Sequence, residues 1–188
     1  MFKLDSPLMN FLNKLCDIMI LNILVLVFSL PIFTIGAAVT AGYYMSFKMV
    51  KNEESYIVKG FWKAFKENFR QSTALWLIIL AVCGVLFVDY RIVLYSGLSF
   101  DRWLRLGLIT VTLIIALGVS FVFAMQARFT NTVKHTLKNS FLMALSHLPS
   151  AVLFVVSYAV PVVLLYFIPQ IFPVIVLLIV TSFTFFIG

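Results

Sequence analysis

Charge is what this sequence has least of. Only 11% of its 188 residues are Asp, Glu, Lys or Arg, against 63% hydrophobic, and the mean hydropathy is +1.09. Soluble domains hold about 45–50% apolar residues and about 25% charged ones, so no aqueous surface can be built from this composition and soluble enzymes and binding modules are excluded. Cysteine is nearly absent. Cys16 and Cys83 lie far apart, each inside an apolar run, with no Cys-x-x-Cys or Cys/His cluster; two buried, reduced thiols are the expectation. His135 and His147 have no acid or cysteine nearby, which argues against a metal site. Catalytic motifs are missing as well: there is no His-Glu-x-x-His, Gly-x-Ser-x-Gly, phosphate-cradling glycine loop or Gly-x-Gly-x-x-Gly. Nor is there a glycine run for an ion filter or an acid ladder for a proton relay. The expectation is a non-enzymatic chain with no cofactor and no metal.

What is there is a series of long apolar blocks. A spanning helix takes about 20 residues, so 188 residues accommodate five or six spans with short loops and no separate soluble domain. The predicted fold is an all-α polytopic membrane bundle of about six spans, forming one transmembrane helical domain over 1–188. The formal charge of +7 sits in short loops, where it sets orientation, so nucleic acid is not an expected partner. Residues 1–10 lead into the first block without a small-residue cleavage site. The first span is therefore expected to double as the insertion signal.

In chain order, the first span covers 11–30, with Asn13, Lys14 and Asp17 in its opening turns and then Asn22 and Ser29. Lys14 and Asp17 are spaced to pair near the interface. Pro31 ends or kinks the helix. Residues 34–42 are dominated by small side chains, with Gly36 and Thr40, Ala37 and Ala41, and Ala38 and Gly42 all four apart. That spacing lets two membrane helices approach closely. The second span is expected over 32–50, making a hairpin that turns near 30–34; the alternative is a broken or re-entrant pair. A third span follows at 72–94, closed by Asp89, Tyr90 and Arg91, and a fourth at 104–127 with Ala116, Ser120 and Ala124 on one close-packing face. A fifth opens at Pro149, and a sixth runs from 174. That last apolar run is short of a full crossing, so either it is a partial helix or the natural chain continues past Gly188.

Two polar breaks interrupt this pattern. The first, 48–70, carries Lys48, Lys51, Lys59, Lys63, Lys66 and Arg70 against Glu53, Glu54 and Glu67. From Ile57 onward it reads as an amphipathic helix, with Phe61, Phe65 and Phe69 on one face beside Trp62, and the cations opposite. Such a helix is expected to lie in the membrane interface, rings at the acyl boundary and cations toward anionic headgroups. The second, 128–147, echoes it: Val133, Leu137, Phe141 and Leu145 recur at steps of four, opposite Lys134, His135, Lys138 and Asn139. Both are expected in the cytoplasm, with both termini. Either they anchor on lipid, or they dock a partner as loop helices do in transporters driven by a separate ATPase. Ionisable groups below the interface are few: Asp17, Asp89 and Arg91. Asp17 with Asn22 is the best candidate polar site, against a headgroup-level carboxylate paired with Lys14.

Cys16 with Asp17, Leu21 with Asn22, Leu30 with Pro31, the run Thr34, Ile35, Gly36, Ala37 and Ala38, then Thr40 with Ala41 and Tyr43 with Tyr44 resemble the YesL family of bacterial membrane proteins. Phe65, Lys66, Glu67, Asn68 and Phe69 continue the resemblance, and Leu137, Lys138 and Asn139 with His147, Leu148 and Pro149 extend it to the second half. These motifs are structural rather than catalytic, and no active-site residue comes with them. The family's genes tend to sit beside carbohydrate uptake systems of the ATP-binding-cassette type. The resemblance thus implies an accessory component of sugar or oligosaccharide import in the bacterial cell membrane. Gly36, Ala37, Thr40 and Ala41 are expected against the partner or the neighbouring span. A stand-alone small transporter or sensor-like protein, with a cavity near Asp17 and Asn22, is the alternative.

Overall fold

Two prolines bound the first helix. Pro7 stands at its first position, where a missing amide proton costs nothing, and Pro31 pushes Leu30 out of helical geometry. The computed structural model describes residues 7–51, 53, 56–95, 101–129, 131–153 and 155–156. Its elements are α1 (Pro7–Ser29), a 3-10 turn at Ile32–Thr34, α2 (Ile35–Val50), α3 (Ile57–Tyr95), α4 (Asp101–Arg128) and α5 (Val133–Ser146). Among the described residues there is no strand. Residues 148–153 and 155–156 are helical again after His147; the remainder of the expected fifth span, and all of the sixth, lie outside the described residues.

The expected turn at 30–34 is present, and Thr34 holds it. Its hydroxyl lies 2.6 Å from the Phe28 carbonyl and 2.7 Å from that of Pro31, satisfying acceptors that the end of α1 leaves open. From there α2 is buried along nearly its whole length, and its small-residue face is the seam of the bundle. A Cβ at Gly36 would lie 2.6 Å from the Ser72 carbonyl oxygen and 2.7 Å from the Trp76 Cβ, and one at Gly42 would lie 2.9 Å from a Val25 methyl. Across the α2–α3 contact the Ser72 hydroxyl donates to Thr40 Oγ1 at 2.9 Å, and Thr40 donates back to its own helix at Gly36 O, 2.8 Å.

One expectation about α3 is corrected. The amphipathic stretch and the third span are not two helices but a single one of 39 residues, about 58 Å long. No proline interrupts 57–95, and Gln71, Ser72 and Thr73 continue the helix. A second correction concerns the Phe face. Phe61 (1% exposed) and Phe65 are buried with Leu21, Ala37, Ala41 and Met45, and the Phe28 ring packs 5.4 Å from Phe61 and 5.1 Å from Phe65. These rings fill the space between α1 and α2 instead of lying on lipid; only Trp62, 44% exposed, points outward. The apolar face meets protein because α2's small side chains leave a groove that only large rings fill.

α5 also departs from its expected stripe. Its ends match the second amphipathic helix, but the fully buried line is Thr136, Ser140 and Ala144, while Leu145 is exposed. Small side chains let α5 lie close along α4, where the Phe141 ring sits 2.6 Å from the Cβ position of Gly118. Gly118, rather than Ala116, Ser120 or Ala124, makes the close approach; those three are half-buried. Cys16 and Cys83, expected to be buried, are both free and exposed on outer faces of α1 and α3.

Among the described residues three helices are long and apolar enough to cross a membrane, at Leu12–Ser29, Ile57–Tyr95 and Arg102–Arg128. They suit a lipid bilayer. α2, with 16 residues, is about 24 Å long, short of the hydrocarbon thickness of about 30 Å. The Trp76 indole N–H donates to the Ile32 carbonyl at 2.7 Å, so the α1–α2 turn lies beside Trp76. Residues 77–95 of α3 continue for about 28 Å beyond it, accompanied by α4, with Tyr90 and Thr112 hydroxyls 3.2 Å apart.

If the Gly36 contact holds α2 against α3, Gly36→Ala lowers the unfolding free energy in detergent by about 1–3 kcal/mol. Gly84→Ala, in open space, leaves it unchanged or gains up to about 1 kcal/mol. Thermal or denaturant melts of the two variants decide this.

Candidate functional surfaces

Three polar features stand out against the apolar bundle, and the first is Asn22. It is 2% exposed on α1, and among the described residues neither its Nδ2 nor its Oδ1 has a hydrogen-bond partner. Asp17, one and a half turns earlier, is half-buried. An unpaired buried amide costs about 1–3 kcal/mol, so Asn22 is a strained position of the kind expected at a functional site.

The second feature went unread in the sequence. Gln126, 4% exposed at the end of α4, donates from Nε2 to Asn68 Oδ1 at 3.3 Å, and its Oε1 accepts from the Thr136 hydroxyl at 3.2 Å. Ser140 continues the line by donating to the Thr136 carbonyl at 2.7 Å. Nearby, Gln71 donates from its amide to the Asn131 carbonyl. One buried amide thereby ties α3, α4 and α5 together. The available signal was a glutamine inside an apolar run.

The third feature is a cavity of about 410 Å³ where the ends of α2 and α4 meet, lined by Tyr44, Phe47, Lys48, Lys51, Glu53 and Arg128 among others. The cations are held over rings: Lys48 Nζ lies 5.1 Å from the Tyr44 centroid, and the Arg128 guanidinium 6.0 Å from Phe47 and 5.7 Å from Phe129. Such contacts contribute about 0.5–1 kcal/mol each at exposed sites.

The other predicted residues divide into interior and surface. Gly36, Ala37, Thr40 and Ala41 are buried against the neighbouring helices, so their faces are taken within the chain. Phe69 is half-buried, while Lys63 and Lys66 are exposed. Lys63 lies 3.9 Å from Glu67, a surface pair of little worth, and Lys66 sits 5.2 Å over the Trp62 ring. His135 and His147 are exposed. Among the described residues no three of His, Cys, Asp and Glu gather in a way that could hold a metal.

Residues 18–90, from within α1 to near the end of α3, match the family described as "Protein of unknown function, DUF624". The chain is 29% identical over 165 residues to "Uncharacterized protein YesL" of Bacillus subtilis (strain 168), covering 83% of this chain and 77% of that protein. The chain is similar to YesL over most of its length. No solved structure matches it. The matched segment contains the α1–α2–α3 seam, so it coincides with the packing core of the described residues.

Replacing Asn22 by Leu removes an unpaired amide from an apolar site and is expected to raise the melting temperature. Gln126→Leu strands Asn68 and Thr136 and is expected to cost about 1–3 kcal/mol. Parallel melts of both variants check the opposite signs.

Proposed function

We propose that this YesL-like chain is a non-catalytic, multi-pass component of the bacterial cell membrane that associates with the membrane subunits of a carbohydrate ABC importer. The observation that carries this reading is the first four turns of α3. One side is locked into the core through Phe61 and Phe65, while Lys59, Trp62, Lys63, Lys66 and Arg70 stand exposed on the other. A helix fixed rigidly beneath, with a cationic and aromatic outer face, is suited to docking, since little ordering entropy is lost when a partner binds. The sugar-import context is what the family resemblance implies. In this reading the basic end of the bundle faces the cytoplasm, by the distribution of Lys and Arg.

The topology we infer has α1 and α2 entering and leaving from that same side. Support comes from the short α2 and from the level of its turn, well before the far end of α3. A second reading, a stand-alone small transporter or sensor-like protein, is favoured by the unpaired amide of Asn22, since buried polar groups in a membrane tend to serve a pathway.

A photo-crosslinker at Trp62 in native membranes is expected to capture an importer membrane subunit, and Lys63→Glu with Lys66→Glu to abolish that adduct. Sugar transport by the purified protein alone in liposomes would instead establish the second reading. For topology, Phe33→Cys in a background with Cys16 and Cys83 changed to Ser is expected to resist a membrane-impermeant maleimide added outside the cell. Labelling from outside would mean that α1 and α2 both cross.

A further inference from the structure

The cavity between the ends of α2 and α4 has no part in the docking face, and its chemistry is specific enough to name a ligand class. Among the described residues three cations, Lys48, Lys51 and Arg128, line it with one carboxylate, Glu53, a formal excess of two positive charges among them. Both helices end here, and helix C-termini carry partial negative charge, so part of that excess offsets the dipoles and the rest faces the cavity. Lys48, half-buried, lies 5.1 Å from the Tyr44 ring, and the exposed Arg128 guanidinium lies 6.0 Å from that of Phe47. Ring contacts that bias the two cations toward the cavity lower the ordering cost of binding.

Size and position narrow the choice. About 410 Å³ falls within the usual range of small-ligand sites, about 300–1,000 Å³. Arg128 ends the long apolar run of α4, so the cavity lies at the boundary where the apolar run meets the charged end, the depth at which headgroups sit. Val50 and Ala127 add apolar wall along which glycerol or the start of an acyl chain can lie. A planar guanidinium with two ammonium groups matches the oxygens of a phosphate, the guanidinium as a fork and the ammoniums as point charges.

We infer that this cavity binds a phosphate ester, with Arg128, Lys48 and Lys51 as its ligands and Tyr44 and Phe47 as the walls that orient them. The ester comes either from an anionic glycerophospholipid headgroup or from a soluble phosphate. The protein reconstituted in phosphatidylcholine nanodiscs containing phosphatidylglycerol, then extracted mildly and weighed by native mass spectrometry, tests this. Retained phosphatidylglycerol, with no retained phosphatidylcholine and no displacement by millimolar glycerol 3-phosphate, assigns the lipid source. Displacement by glycerol 3-phosphate assigns the soluble one. In either case Lys48→Ala and Arg128→Ala are expected to weaken retention about fivefold each, Arg128→Lys to weaken it less, and Arg91→Ala, at an exposed position near the opposite end of α3, to leave it unchanged. Lys51→Glu, at an exposed rim position, gives the same loss without touching the fold. Equal retention of both lipids, or retention of phosphatidylglycerol unchanged by Lys51→Glu in a protein of unchanged melting temperature, overturns the inference.

Discussion

The close approach of α2 to α3 at Gly36 is the constraint on which the described bundle depends. With backbone and Cβ atoms of Ser72 and Trp76 at 2.6–2.7 Å from the place a side chain would begin, no larger residue fits unless the helices part. In lipid this matters more than in water. Hydrocarbon is as apolar as leucine, so helices associate through packing and hydrogen bonds rather than through exclusion of water. Gly36 supplies the packing, and the Ser72 to Thr40 hydrogen bond, buried and at the same level, supplies the polar part.

Once α2 is fixed there, the fate of the aromatic residues follows. Its small side chains make one wall of a groove, α1 makes the other, and Phe61 and Phe65 enter from α3 to meet Phe28. This anchors the first turns of α3 to the core, so the helix runs without a break from the charged end into its apolar stretch. On the other flank α5 repeats the solution with different chemistry. Thr136 and Ser140 allow the close contact with α4, and the Gln126 amide links to Asn68 and Thr136 where a purely apolar interface would leave the position of α5 weakly defined. Charges are left on the outside of the same end, on the free face of α3 and around the cavity beside Arg128.

Much of this was legible in the residues. The turn at 30–34 follows from Pro31, the buried face of α2 from Gly36, Ala37, Thr40 and Ala41, and the ends of α5 from its periodicity. Periodicity also separated Phe61 and Phe65 from Lys63 and Lys66 correctly. It assigned the wrong neighbour to the rings, because an apolar face looks the same whether it will meet lipid or protein. The outward thiols of Cys16 and Cys83 were misplaced for the same reason: facing away from protein is no penalty for an apolar group in a membrane.

By itself, then, the sequence determined the solvent, the helical class, the family likeness and which side of each helix is small, aromatic or charged. These are properties of single helices, set by composition and a period of 3.6. The tertiary structure alone decided which faces meet: Gly118 rather than Ala116 under the Phe141 ring, Gln126 between Asn68 and Thr136, Asn22 buried without a partner, and three cations drawn together from the ends of α2 and α4 and the residues just after α2. Those are pairings across long sequence separations, and no local pattern encodes the distance between two helices.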